Sequence, residues 1–117
     1  MGISEKIEGT VKVVSLSGRL DAYAVDDVEK KLDSLASVKQ IHLVLNLSEL
    51  EYISSSGLRV MLATLKKATK HQGEVRLACL NPSVKDVFDI AGFTQFFKIY
   101  NRLRIRDNTG SKENKYR

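Results

Sequence analysis

Ile53-Ser54-Ser55-Ser56-Gly57-Leu58-Arg59 joins two segments of opposite character. The run before it, 41–47, is apolar apart from His42 and Asn46. The residues after it place Leu58, Met61, Leu62 and Leu65 at i, i+3, i+4 and i+7, the spacing of one helix face. A nearly continuous apolar run is the mark of a strand covered on both faces, so 41–47 is expected to be a central parallel strand. Residues 48–57 then read as the loop at its carboxyl end. The helix is expected to continue to about Gln72, with Gly73 as its stop. A helix start holds backbone N–H groups without intrahelical partners, together with the positive end of the dipole. A serine in that position either caps the helix or carries function. Ser56, next to Gly57, is expected to be the one drawn into capping.

Working outward toward the N-terminus, residues 3–7 and 10–17 read as two strands around the Glu8-Gly9 turn. Val11, Val13, Val14 and Leu16 supply the β-branched and aliphatic density. Gly18-Arg19-Leu20-Asp21 breaks that pattern. Val25, Val28, Leu32 and Leu35 then recur at helical spacing, with Asp26, Asp27 and Glu29 in the first turns, where negative charge suits the dipole. Toward the C-terminus, Val75, Leu77 and Cys79 alternate as a strand. Asn81-Pro82 reads as N-cap and first turn of a helix with Val84, Val87, Phe88 and Ala91 inward, ended by Gly92. A last short strand is expected at 96–100, after one more helical turn near Thr94. Two opening strands followed by alternating helices and strands predict an α/β domain with a mixed, mostly parallel sheet. Domains of this build place functional loops at the carboxyl ends of their strands.

Composition narrows the function classes. A chain of 117 residues, 43% hydrophobic and 28% charged, fits one globular domain. No apolar run approaches the roughly 20 residues that span a bilayer. The opening residues lack the build of a signal peptide, and a myristoylation pattern fails at Lys6, so a cytoplasmic protein without membrane contact is expected. A single cysteine, Cys79, rules out an internal disulfide framework and packs as a small apolar side chain. Of the net charge of +5, six basic and two acidic residues fall from Arg102 onward, leaving 13 basic and 12 acidic residues before it. The body is nearly neutral and the basic residues collect in the tail. That distribution argues against a nucleic-acid-binding face, which needs clustered cations with stacking aromatics. The tail, 104–117, is polar and without periodicity, and is expected to be disordered and to add nothing to the core beyond residue 103. There is no phosphate-binding glycine loop and no Cys/His cluster, so neither cofactor nor metal is expected. His42 and His71 are the only histidines, and no Gly-x-Ser-x-Gly elbow surrounds Ser55, which removes the usual case for a hydrolase.

The segment 45–58, with its Leu45-Asn46-Leu47-Ser48, Tyr52-Ile53 and Ser54-Ser55-Ser56-Gly57-Leu58, resembles the signature loop of STAS domains of bacterial anti-sigma factor antagonists. The resemblance extends to Gly18-Arg19-Leu20-Asp21-Ala22 and to the stretch from Asn81 to Phe93, covering roughly residues 5–101. In that family the loop commonly reads Asp-Ser-Ser-Gly-Leu, and the serine after the Asp is phosphorylated by the partner anti-sigma factor kinase. Aligned on Gly57-Leu58, the resemblance puts phosphorylation on Ser55. Ser54 stands where the Asp would be and removes a fixed negative charge beside the acceptor. The implied contact surface comprises Asp21, Ser54, Ser55, Ser56, Gly57, Leu58 and Arg59. The implied partners are an anti-sigma factor serine kinase and a PP2C-type phosphatase, and the chain itself has no catalytic turnover. Gly57→Val is expected to impair partner binding more than folding, through a positive φ or a closely approaching partner. The rival readings are a STAS scaffold or transport-complex component acting without phosphorylation, and a nucleotide-responsive module.

Overall fold

A computed structural model describes residues 1–100. In chain order its elements are β1 (Gly2–Glu8), β2 (Val11–Leu20), α1 (Val25–Ala36), β3 (His42–Ile53), α2 (Ser55–Lys70), β4 (Glu74–Ala78), α3 (Pro82–Ile90), a 3₁₀ turn (Thr94–Phe96) and β5 (Lys98–Tyr100). The sheet has the order β1-β2-β3-β4-β5; β1 runs antiparallel to β2, and the remaining pairs are parallel. This is the mixed, mostly parallel α/β sheet that the sequence predicts. Because β2 to β5 lie side by side in chain order, each right-handed crossover lands its helix on the same face. The core lies there. Val14, Leu16, Leu43, Leu45 and Leu77 of the strands meet Val28 and Leu32 of α1, Met61 of α2 and Phe88 of α3. A smaller cluster, Val11, Val13, Val44 and Ala78, forms on the other face. β3 is therefore central, as expected, but its helices cover one side only.

The ends of several elements differ from the sequence reading, each for a local reason. β3 does not stop at Leu47. It continues through Ile53, pairing with a β2 that itself runs to Leu20, so residues 48–53 are strand rather than loop. Register shifts between Ser15 and Ser17 and between Gly18 and Arg19 give β3 an extra residue each time. Its buried positions change accordingly from every second residue to Leu47, Leu50 and Ile53, every third. Gly18, at φ 93, supplies the backbone freedom β2 needs there. β4 ends at Ala78; Cys79 takes φ 66, leaves the alternation and donates its N–H to the Tyr100 carbonyl. At the end of α2 the left-handed residue is Gln72, not Gly73. Gly73 is needed for space, since a Cβ there would lie 2.6 Å from the Ile41 carbonyl oxygen. Asn81 and Pro82 begin α3 as read; the 3₁₀ turn falls at Thr94 as expected, but it takes in Phe96, so β5 begins at Lys98 and not at residue 96. The basic tail, 104–117, and the domain limit drawn at residue 103 lie outside the described residues.

Candidate functional site

β2 and β3 end side by side, with Leu20 in register with Ile53. One residue, Ser54, then separates β3 from α2. Its N–H donates to the Leu20 carbonyl at 2.9 Å, which ties the helix start to the end of the neighbouring strand. Its backbone is extended at φ −87 and ψ 172, and its Oγ accepts from the Gly57 N–H at 3.1 Å. Ser54 is therefore the N-cap of α2, and the expectation that Ser56 would cap is corrected. Ser56 turns instead toward Ser54, with the two Oγ atoms 3.0 Å apart. Ser55, the first residue of the helix, is exposed. Among the described residues, no hydrogen bond engages its hydroxyl. Three serines that are alike on paper thus have three different situations.

The other predicted site residues divide in the same way. Gly57 is buried, and a Cβ on it would stand 2.9 Å from both Ile53 Cγ1 and Leu20 Cγ. Its hydrogen atom faces the core, so Gly57→Val overpacks the interior. The expected reason, a positive φ or an approaching partner, is replaced by a clash inside the core. Leu58, 6% exposed, is a core residue that seats the helix and presents almost nothing to a partner. Arg59 is exposed on the same helix face as Ser55. Asp21 follows β2 directly. Its carboxylate accepts from the N–H groups of Tyr23 and Ala24 at 3.0 and 3.2 Å, and its carbonyl accepts from Ala24 and Val25. It builds the turn into α1, a helix whose N-cap, Ala24, has no side chain to cap with.

Sequence reasoning missed three features beside the serines. Tyr23, in the turn that Asp21 holds, is 96% exposed. Arg19 stacks on Tyr52 at 4.3 Å from the ring centroid, joining the last residues of β2 and β3. An open groove of about 540 Å³ separates α1 from α2, walled by Val25 and Glu29 on one side and by Ser56, Arg59, Leu62 and Lys66 on the other. The strand register that pairs Arg19 with Tyr52 follows from the two extra residues of β3, which leave no simple periodic signal. The groove appears only once the helices are packed. Among the described residues, no group of His, Cys, Asp and Glu could hold a metal ion, and no helix is long and apolar enough to cross a membrane. The site offers an exposed hydroxyl on a capped, polar helix start, with Arg59 exposed one turn further along the same helix.

Residues 3–104 match the STAS domain family model. BtrV of Bordetella bronchiseptica is 36% identical over 97 residues, covering 83% of each chain. The anti-sigma F factor antagonist of Paenibacillus polymyxa is 35% identical over 91 residues, 77% of this chain and 78% of that one. The crystal structure of an anti-sigma factor antagonist from Mycobacterium paratuberculosis superposes with a TM-score of 0.79 at 25% identity, covering 87% of this chain and 86% of its own. Family model, sequence identity and fold agree: the chain belongs to the STAS domain family, among its anti-sigma factor antagonists.

Proposed function

We propose that the unmodified protein binds an anti-sigma factor that is also a serine kinase, freeing a sigma factor, and that phosphorylation of Ser55 ends the contact. The observation that carries this reading is the division among the serines. Ser54 is committed to the cap, Ser56 faces Ser54, and Ser55 puts an exposed hydroxyl on the first turn of α2. The name of the Paenibacillus polymyxa relative, an anti-sigma F factor antagonist, supports the same class of partner. Ser54 in place of the family aspartate keeps the cap, because hydroxyl and carboxylate oxygens both accept from the helix N–H groups. What it gives up is a charge, not a geometry.

The kinase transfers the γ-phosphoryl group of ATP to Ser55 Oγ, releasing ADP and the hydroxyl proton. A PP2C-type phosphatase returns the group to water as inorganic phosphate. The chain supplies a positioned hydroxyl and no catalytic group, and it works in the cytoplasm where ATP and sigma factors are found. Asp21, Tyr23 and Arg59 complete the contact surface. A phosphoryl group adds about −1.5 to −2 charges at the centre of that surface. A partner shaped for a neutral serine must then desolvate an anion, which costs several kcal/mol when no counter-ion meets it.

The test is incubation with ATP and a candidate anti-sigma kinase, with fragment-ion mass spectrometry to place the phosphate. Ser55→Ala is expected to abolish labelling while still binding, and Ser55→Glu to bind at least tenfold more weakly. Phosphate found mainly on Ser54 or Ser56, or full labelling of Ser55→Ala, overturns the proposal.

A further inference from the structure

Arg59 stands one helical turn beyond Ser55, and both residues are exposed. The ion pairs among the described residues engage Lys6, Lys12, Lys31, His42, Lys67, Arg76 and Lys85, and leave Arg59 out. Lys67, on the same helix, has a carboxylate partner in Asp33 of α1. Arg59 has none, although Glu29 lines the opposite wall of the same groove. It is a cation whose neighbour four residues earlier is a neutral hydroxyl.

We infer that Arg59 is the internal counter-ion of a phosphoryl group on Ser55, an inference that rests on Ser55 being the acceptor. Side chains four residues apart on a helix are neighbours, with Cβ atoms about 5–6 Å apart, and the order anion first, cation second is the favourable one. Phosphoserine carries three acceptor oxygens, and the guanidinium fork matches two of them at once. Modification then changes two charges on this face together: an anion appears on Ser55, and the free cation on Arg59 is withdrawn into a pair. A partner that used Arg59 loses it at the moment the phosphate arrives. The rim of the α1–α2 groove is left with Lys66 as its free cation.

The experiment installs phosphoserine at position 55 during translation, so no kinase enters, and follows the ³¹P shift against pH in low salt. The second ionisation of phosphoserine lies near pH 6. Arg59→Gln is expected to raise the apparent pKa by about 0.2–0.4 unit, the effect of one unit charge at this spacing. In about 1 M salt, where the screening length falls to roughly 3 Å, the difference should vanish. Asp21 and Glu29, the carboxylates on the neighbouring elements, and the dipole of α2 are the same in both proteins, so the difference reads Arg59 alone. Arg59→Lys, which keeps the charge but not the fork, should fall closer to the parent than Arg59→Gln does, separating the charge from a repacking artefact. Equal values for the parent and Arg59→Gln in low salt overturn the inference. Failure of a kinase to label Ser55 leaves this titration untouched and counts against the proposed function instead.

Discussion

Ser54 sets the chemistry of its two neighbours by taking the cap itself. With its Oγ accepting from the Gly57 N–H, the helix start is closed and Ser55 is left outward. Removing the hydroxyl should cost about 1 kcal/mol, a fall of about 4–8 °C in melting temperature for a domain of this size. Ser54→Asp should restore the parent value, since a carboxylate caps equally well and suits the helix dipole. Thermal melts of the two variants decide it; a Ser54→Ala protein that melts like the parent would mean that the cap contributes nothing. The identity of the capping serine was not legible in the sequence. The cap is the residue after the strand ends, and a strand read as ending at Leu47 left the cap free to slide along the serines to Ser56. Gly57 was singled out for a positive φ or an approaching partner, whereas its missing Cβ makes room for Leu20 and Ile53, which only the packed core reveals.

At the scale of elements, the periodic parts of the chain were readable and the aperiodic ones were not. α1, α2 and α3 follow from apolar spacing, and the start of α3 from Asn81-Pro82. The second half of β3 does not, because its two extra residues turn a period of two into a period of three that resembles neither strand nor helix. That half also runs past the end of β4, and Asn81 reaches across to it. The Asn81 amide donates to the Leu50 carbonyl at 2.7 Å, while its oxygen accepts from the Val84 N–H at 2.9 Å. One side chain thus caps α3 and holds the strand that delivers Ser54. Asn81→Ala should lose both roles, at a cost of about 2 kcal/mol. Asn81→Ser keeps a capping oxygen but not the reach to Leu50, and should lose about half as much. Urea midpoints at constant slope measure the two losses; equal losses would show that the bridge to β3 carries no weight.

Over the whole molecule, two carboxylates tie elements together and set the response to acid. Glu5 of β1 is held below the ordinary value of 4.5, chiefly by its hydrogen bond from Lys31 of α1, with Lys12 of β2 adding to it against a cost of burial. Burial pushes Glu74 of β4 upward, but the hydrogen bond from His42 of β3 and the charge of Arg76 outweigh it and leave the carboxyl low. A carboxylate more acidic folded than unfolded stabilises fully above the unfolded value and loses that contribution as pH falls through the folded one. The melting temperature should therefore hold near neutrality and decline from about pH 4.5 downward. Glu74→Gln should flatten that decline while lowering the neutral plateau, and melts between pH 3 and 7 test it; an unchanged slope would remove Glu74 from the account. The single residue between β3 and α2 gives the molecule its manner of signalling. Ser54 is bonded to Leu20 behind it and to Gly57 ahead of it, which ties the junction on both sides. A mark written on Ser55 is displayed where it is written. On the proposed assignment of Ser55 the protein acts as a stamp, not a lever, and a reader must come to the mark itself.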